Sequence, residues 1–383
     1  MEKVLKNIDI LFSLIKSEIE ETDFEESLTE ENFEEVYTLA DKYDMAHFIA
    51  EKAVKCKGCS KELSDKFKKK QILAVFRHEK SVFALGRVAQ VLNEAEIEFI
   101  PLKGAVISRL YPKSYQRTSC DIDILVHEND LEKAVEVICR ELNYTARRER
   151  DYHDISLYSP EGVHLELHFS IKENMENLDK VLERVWQHAS PEYKCLWKME
   201  DEFLIFHTMT HMCYHFLCGG CGIRSFVDLY LLRTKTEYSE EVLRKYLCES
   251  EIEKFYDAVL SLLNVWFDNA EHTPLTLKME EHIFEGGIYG NREKRIAFQQ
   301  NKKGGRLGFV ISRLFLPYET LAFYYPILNE KRWLTPFMQV RRWFRLLTRK
   351  GVYNRAKKEL KVNSSISKDK INEASDFLQE LGL

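Results

Sequence analysis

A six-residue segment, Asp121–Val126 with the sequence DIDILV, restricts what this chain can fold into more than any other. Side chains alternate along a β-strand, so Ile122 and Ile124 would enter a core while Asp121 and Asp123 project together from the opposite face. Two carboxylates held side by side repel each other unless a cation lies between them. The segment therefore predicts a strand whose polar face is a candidate cation site.

A second segment downstream has the same alternation. In Gly162–Phe169, with the sequence GVHLELHF, apolar residues alternate with His164, Glu166 and His168. If this strand neighbours the first, Glu166 adds a third carboxylate, a ligand type that Mg²⁺ prefers. The two histidines share its face, where they would contact substrate, act as bases or be plain polar neighbours. The predicted catalytic and metal-binding residues are Asp121, Asp123 and Glu166.

The residues that precede the first segment predict a phosphate-binding turn. Ile97–Leu102 indicates a short strand, Lys103-Gly104 a turn, and Ala105–Leu110 a helix. Glycine lets a backbone approach a ligand closely, and amides at a helix start bind phosphate. Lys103 would supply a point charge and Arg117 a planar group for bidentate contact, unless both are ordinary surface charges.

Taken together, these elements resemble the nucleotidyltransferase superfamily of DNA polymerase β type, which includes the CCA-adding enzymes and the aminoglycoside nucleotidyltransferases. More closely, the motifs LKG, LYP, R, DIDILV and ELHF, with HMCYHF and IRSFVDLYLL further on, resemble a bacterial family known only as uncharacterised nucleotidyltransferases. The resemblance covers roughly residues 102–232. At Lys103-Gly104 the chain departs from many members of the superfamily, which have Gly-Gly or Gly-Ser there.

The pattern predicts an α+β fold, with helical regions on both sides of a small mixed sheet of nucleotidyltransferase type. Helical periodicity dominates residues 1–95, the expected helical N-terminal region. Strands alternate with a helix in residues 96–190, the expected core, where Ser159–Gly162 has the composition of a hairpin turn. From Leu178 onward we expect helices alone, so residues 191–383 would be a helical C-terminal region.

The resemblance implies Mg²⁺-dependent transfer of a nucleotidyl group from a nucleoside triphosphate to an unknown acceptor. Two metal ions would be held by the three carboxylates, and Glu166 would assist deprotonation of the acceptor. The triphosphate would be held by Lys103, Gly104 and Arg117. One rival is a non-catalytic module on the same fold, an antitoxin-like component or a sensor that binds a nucleotide or a partner. Another is a catalyst that modifies a protein side chain.

Other side-chain patterns offer local alternatives. Cys56-x-x-Cys59 would be half a zinc site, a redox pair or a loop with two thiols, and the last is favoured because no second pair lies close by. A zinc site is also conceivable on His211, His215, Cys218 and Cys221. The compressed spacing of that set favours instead a helix that faces the nucleotide cleft or the core. Arg224 and Asp228 would pair along the next helix.

Composition limits the compartments and partners that we expect. The net charge of −6 gives no bulk attraction to polyanions. Nine cysteines without a recognisable signal peptide favour a reduced, cytoplasmic setting. The most apolar stretch, Phe309–Leu328, is interrupted by Arg313, Pro317, Glu319 and Pro326, so we expect no membrane insertion.

One segment near the end, Lys331–Lys361, is strongly basic and rich in aromatic residues. It could bind nucleic acid or an anionic membrane surface. We favour a helix whose aromatic side chains pack on the protein body while its cations face water, and we expect weak or no nucleic-acid binding. Its cations include Arg341, Arg342, Arg345, Arg349, Lys350, Arg355, Lys357 and Lys358.

Overall fold

Strands from the middle of the chain join in one mixed sheet. The structure, a computed structural model, describes residues 2–24, 28–147, 153–286, 292–348 and 350–383. The strands in these ranges are β1 (Phe99–Pro101), β2 (Asp121–Val126), β3 (Thr145–Ala146), β4 (Asp154–Tyr158), β5 (His164–His168), β6 (Ala189–Tyr193) and β7 (Leu196–Met199). Their order is β3-β4-β5-β2-β1-β7-β6, with β2–β5 and β1–β7 parallel and the other neighbours antiparallel.

The chain forms two units, which we describe separately: Met1–Tyr214 with Gly222–Ile283, and His215–Cys221 with Phe284–Leu383. The helices that begin in the first unit are α1 (Glu2–Ile19), α2 (Glu30–Lys42), α3 (Ala50–Ala53), α4 (Lys61–Glu94), α5 (Gly104–Ile107), α6 (Leu131–Leu142), α7 (Glu176–Leu182), α8 (Asp201–Leu217), α9 (Ile223–Lys235), α10 (Glu240–Glu249), α11 (Glu253–Asp268) and α12 (Pro274–Gly286). Those in the second are α13 (Arg292–Lys302), α14 (Gly305–Leu314), α15 (Tyr318–Tyr324), α16 (Ile327–Glu330), α17 (Thr335–Thr348), α18 (Lys350–Ser365) and α19 (Lys368–Leu381).

One face of the sheet forms the main core of the first unit. Ile122 and Ile124 of β2 are buried together with Leu165 and Leu167 of β5, and helices α4 and α6 cover them. These residues share a face because strand side chains alternate, and the parallel register aligns the two strands residue for residue. The alternation that buries the isoleucines and leucines directs the acidic residues to the opposite face.

The N-terminal helices pack closely on the rest of the first unit. The Phe12 ring of α1 stacks on Trp266 of α11, with ring centroids 4.0 Å apart. Gln116, in the segment before β2, donates a hydrogen bond to the Glu18 carboxylate over 2.7 Å. In the same segment, Thr118 Oγ1 donates to Asp44 Oδ2 over 2.8 Å. The helices at the start of the chain thus hold the segment that leads into the Asp strand.

The expectation of helices alone after Leu178 is wrong, because β6 and β7 form a hairpin at the edge of the sheet. Strand β6 contains Pro191 and is mostly exposed, so it lacks the alternation of a half-buried strand. Lys194 makes the turn with a positive φ of 52°. An edge strand tolerates proline and needs no buried face, which is why periodicity did not indicate it.

In the second unit, α13, α14 and the helices near the chain end share a small core. Ile296, Ala297, Phe309 and Ile366 are buried together. Helix α17 contacts the C-terminal end of α14, where Trp343 Nε1 donates to the Leu314 carbonyl over 2.7 Å. None of the described helices in either unit is long and apolar enough to cross a membrane.

The expectation that the aromatic residues of the basic segment pack on the body is wrong for most of them. Trp343 packs inward, but Trp333, Phe337 and Phe344 are 62–69% exposed. Helical spacing explains the difference, since Phe337 and Phe344 lie about 100–120° around the helix from Trp343. Arg349 lies outside the described residues.

Candidate active site

Strands β2 and β5 bring three carboxylates to one face of the sheet. Their register pairs Asp121 with His164 and Asp123 with Glu166. Ligand atoms of Asp121, His164 and Glu166 lie within 4.8 Å of one another, and so do those of Asp123, Glu166 and His168. Both groups could hold a metal ion, and they share Glu166. The structure therefore brings together the three carboxylates that the alternation indicated.

Asp121 is held in an electrostatically unfavourable position. Ser119 Oγ donates a hydrogen bond to its Oδ1 over 2.8 Å, which orients the carboxylate. Burial raises the pKa of Asp121 above its ordinary value, and the charges of Asp123 and Glu166 add to the effect. An ionised Asp121 is thus destabilised by its surroundings, as expected for a carboxylate in a cluster that a cation would neutralise.

Asp123, by contrast, has a histidine as its hydrogen-bond partner. His168 Nε2 donates to Asp123 Oδ1 over 3.1 Å, and Glu166 Oε2 lies 3.6 Å from the same nitrogen. Burial alone would raise the pKa of Asp123, but the hydrogen bond from His168 and the charge of Lys103 lower it. Burial alone would lower the pKa of His168, but its contacts with Asp123 and Glu166 raise it to about 9. The two carboxylates therefore favour the protonated form of His168.

Lys103 lies two residues after the end of β1, and its side chain reaches toward helix α8. Leu102 N donates to the Asp123 carbonyl over 3.0 Å, which places the turn beside β2. Lys103 has φ 37° and ψ −103°, a backbone conformation that strains a residue with a side chain and that glycine adopts more readily. Strained residues of this kind cluster at functional sites.

The Lys103 ammonium and the Glu173 carboxylate compete for one nitrogen of His211. Lys103 Nζ lies 3.1 Å from His211 Nδ1, and Glu173 Oε1 lies 2.8 Å from it. Nδ1 accepts from the ammonium only when it carries no proton, and it donates to the carboxylate only when it carries one. One turn earlier on α8, His207 is buried, and burial with the charge of Lys103 lowers its pKa well below the ordinary value.

Gly104 and Arg117 lie against each other behind this turn. A Cβ on Gly104 would lie 2.7 Å from Arg117 Nη1. The Arg117 guanidinium is buried and bonds to both oxygens of Asp228, with Nη2 2.9 Å from Oδ2 and Nε 3.3 Å from Oδ1. Burial alone would lower the pKa of Arg117, but Asp228 raises it. In this structure the Arg117 guanidinium is paired with Asp228. Its contact with a phosphate therefore stays a prediction.

A small pocket of about 60 Å³ lies between helix α4 and the edge of the acidic cluster. Arg77 and His78 line it from α4, and Gly104, Ser119 and Asp121 line it from the sheet side. The pocket has room for a few water molecules rather than a nucleotide. A nucleotide at the carboxylates would therefore lie largely outside this pocket.

Sequence reasoning missed several supporting residues. Asp228 was expected to pair with Arg224, but it pairs with Arg117, and Arg224 Nη1 donates to the Thr118 carbonyl over 2.7 Å. Tyr111 Oη also donates to Asp228, over 2.7 Å. These contacts join residues far apart in the chain, so no local spacing could indicate them. A polar residue two positions before Asp121, where Ser119 lies, was a signal available in the sequence.

The cysteine patterns have different outcomes. Cys56 and Cys59 lie as free thiols in the loop between α3 and α4, in line with the favoured interpretation. Burial raises the pKa of both thiols, which is the opposite of what activates a cysteine. The zinc alternative on His211, His215, Cys218 and Cys221 stays a prediction.

Comparison with known proteins places this geometry in a family. No curated protein matches the chain. The family profile described as uncharacterised nucleotidyltransferase matches residues 29–268, from the start of α2 to the end of α11. The match includes the whole sheet, the three carboxylates and the Lys103 turn. The chain therefore belongs to the family of uncharacterised nucleotidyltransferases.

Proposed function

We propose that the chain is a Mg²⁺-dependent nucleotidyltransferase with a catalytic core of DNA polymerase β type. It would transfer a nucleotidyl group from a nucleoside triphosphate to an acceptor and release pyrophosphate. The observation that carries the proposal is the set of three carboxylates, Asp121, Asp123 and Glu166, on one face of two adjacent parallel strands. Membership of the family supports nucleotidyl transfer as the reaction class.

The donor set suits Mg²⁺ by its chemistry. Three carboxylates offer hard oxygen ligands. Burial, with the charges of Asp123 and Glu166, raises the pKa of Asp121, and a divalent cation would offset both effects. Asp121, Asp123 and Glu166 would hold the metal ions. Bound Mg²⁺ supplies positive charge to the triphosphate oxygens and orients them.

The residues around the carboxylates have distinct roles in this proposal. His168 orients Asp123 through its hydrogen bond. Lys103 donates to a phosphate oxygen, and its departure from His211 leaves Nδ1 of that ring to Glu173. Gly104 lets the backbone approach the phosphates because it has no side chain. Glu166 assists deprotonation of the acceptor. The protein acts mainly by positioning and electrostatics.

One observation favours a second candidate, a non-catalytic module that binds a nucleotide or a partner. His168 Nε2 lies 3.1 Å from Asp123 Oδ1 and 3.6 Å from Glu166 Oε2, so a protonated His168 ring would neutralise part of the cluster without a metal. A cluster balanced by a protein cation would need no metal ion for stability.

A screen of the four ribonucleoside triphosphates for Mg²⁺-dependent pyrophosphate release tests the proposal. Candidate acceptors would be a sugar, an aminoglycoside, RNA and protein. We expect release with at least one triphosphate and acceptor, lost in Asp121→Asn and retained in the exposed-residue control Asp257→Asn. Triphosphate binding without turnover across the whole screen would contradict the enzyme and favour the module.

A further inference from the structure

The second unit carries an exposed apolar stripe along α17 and the turn before it. Trp333, Phe337, Val340 and Phe344 are 42–69% exposed. Their spacings of four, three and four residues place them along one side of a helix. The opposite side of α17 is the packed one, where Gln339 is buried and bonds to the Leu316 carbonyl over 2.8 Å. The stripe therefore lies on the side of α17 that faces away from its packing contacts.

The same unit carries a second exposed apolar stripe, on α14. Leu307, Ile311 and Leu314, with Phe315 just beyond the helix end, are 44–79% exposed. The two helices meet at Trp343, whose ring lies edge-on to Phe315 at 5.3 Å between centroids. Scattered apolar residues are ordinary on a surface, but exposed apolar side chains that follow one side of a helix over several turns indicate an interaction site. We call these two stripes the apolar patch.

Cations flank the α17 part of the apolar patch. Residues 331–358 contain ten Lys and Arg and no Asp or Glu. Arg341 and Arg345 are exposed on α17 and flank its stripe. Across residues 284–383 there are 20 Lys and Arg against 9 Asp and Glu, whereas the whole chain has a net charge of −6. The positive charge is thus concentrated in the part of the chain that exposes the apolar patch.

We propose that the apolar patch binds the surface of an anionic phospholipid bilayer, with α17 lying in the plane of the headgroups. A helix with Trp and Phe on one side and arginines beside them is the pattern of interfacial helices. The aromatic residues would enter the boundary between headgroups and acyl chains, and the arginines would meet the lipid phosphates. This inference goes beyond the proposed transferase activity and does not depend on it.

Two observations favour a bilayer over a nucleic acid as the occupant. Leu307, Ile311 and Val340 are aliphatic, and aliphatic side chains do not stack on bases as aromatic rings do. Arg332 and Arg341 lie over the rings of Tyr318 and Tyr325, which leaves those two rings less free to stack on bases.

Vesicle flotation of the full-length protein tests the proposal. We expect the protein to bind vesicles of phosphatidylcholine with about 30% phosphatidylserine, to bind pure phosphatidylcholine weakly, and to lose affinity as salt rises from about 0.05 to about 0.5 M. Phe337→Ser with Phe344→Ser should lower the partition coefficient at least about tenfold. Arg341→Gln with Arg345→Gln should lower it on anionic vesicles only.

The matched control is Phe76→Ser with Phe83→Ser on α4, because those rings are as exposed as Phe337 and Phe344 but lie in the first unit. This variant should bind vesicles as the wild type does. Equal loss in the control, or no binding of the wild type to anionic vesicles, would overturn the proposal. If vesicle binding is absent, two other results would identify a different occupant and overturn the proposal. One is RNA binding that the arginine substitutions abolish, and the other is self-association that the phenylalanine substitutions abolish.

Discussion

Asp228 fixes Arg117 from a position 111 residues away in the sequence. Both side chains are buried, and Tyr111 donates a further hydrogen bond to the same carboxylate. Replacing a single partner of a buried ion pair leaves the other charge without compensation, which costs about 3–5 kcal/mol. We therefore expect Asp228→Asn to lower the free energy of unfolding by about that amount, as measured by urea denaturation.

The control for this prediction is Asp257→Asn. Asp257 pairs with Arg244 at the surface, and Arg244 keeps two further partners, Glu240 and Glu253. Its loss should change the free energy of unfolding by less than about 1 kcal/mol. Equal effects of the two substitutions would show that the Arg117–Asp228 pair does not organise the region behind the Lys103 turn.

Gly104 depends on the same pair. A Cβ there would lie 2.7 Å from Arg117 Nη1, and this guanidinium cannot move away without breaking its bonds to Asp228. Gly104→Ala should therefore destabilise the protein by about 1–3 kcal/mol, like other overpacking substitutions. Gly86→Ala in α4 is the matched control, since its Cβ would meet nothing within 4 Å. It should stabilise the protein by up to about 1 kcal/mol, because alanine favours a helix.

Thermal denaturation of the two glycine variants side by side checks the prediction. A neutral Gly104→Ala would mean that the turn has room for a side chain, and that close backbone approach is not the reason for a glycine at this position.

Between elements, His47 links the N-terminal helices to the segment before β2. Its ring is buried, and Nε2 lies 2.9 Å from the Gln116 carbonyl. Burial lowers the pKa of His47 below its ordinary value; Asp44 opposes this shift, while Arg224 and Arg77 add to it. The unfolded chain therefore binds a proton at His47 more readily than the folded chain does.

This shift has a defined sign in the pH dependence of stability. Above the unfolded-state pKa of about 6.5, His47 is neutral in both states, and its lowered pKa does not change the free energy of unfolding. As the pH falls below that value, the unfolded chain takes up a proton first, and the free energy of unfolding decreases. The wild type should lose more stability than His47→Gln when the pH falls from about 7.5 to about 5.5, by about 1 kcal/mol. Urea denaturation of both proteins at the two pH values measures the difference. Parallel losses would contradict the prediction.

The elements that form the site could be predicted because their pattern is local. Period-two alternation indicated β2, and the turn composition of Ser159–Gly162 indicated the antiparallel pairing of β4 with β5. The sequence did not predict that β2 pairs with β5, because no local pattern determines which strands become neighbours. The β6–β7 hairpin was missed because it is exposed and contains Pro191, so it lacks the buried face that produces alternation.

Long-range polar contacts were beyond prediction for a related reason. The partners of Arg117 and Lys103, which are Asp228 and His211, lie on α9 and α8, and a single sequence has no signal that joins them. The spacing of four between Arg224 and Asp228 suggested a helical pair. In the structure, both side chains instead turn toward residues before β2, where they meet a buried charge and a buried carbonyl.

At the scale of the whole molecule, charge is unevenly distributed. Residues 1–283 contain 36 Lys and Arg against 53 Asp and Glu, whereas residues 284–383 have an excess of cations. An acidic unit that carries the carboxylate site is thus joined to a basic unit that carries the apolar patch. Localised charge of this kind attracts an anionic surface even when the net charge of the chain is negative.

In the proposed mechanism, the three carboxylates hold a metal ion that binds a triphosphate. Asp121→Asn tests it most directly, because the raised pKa of Asp121 shows that its charge is unfavourable without a cation. A ligand that binds the folded state raises the melting temperature by mass action. The variant should melt at or above the wild-type temperature without Mg²⁺, and it should lose the upward shift that Mg²⁺ with a triphosphate causes in the wild type and in Asp257→Asn. An undiminished shift in Asp121→Asn would contradict the metal site and the mechanism built on it.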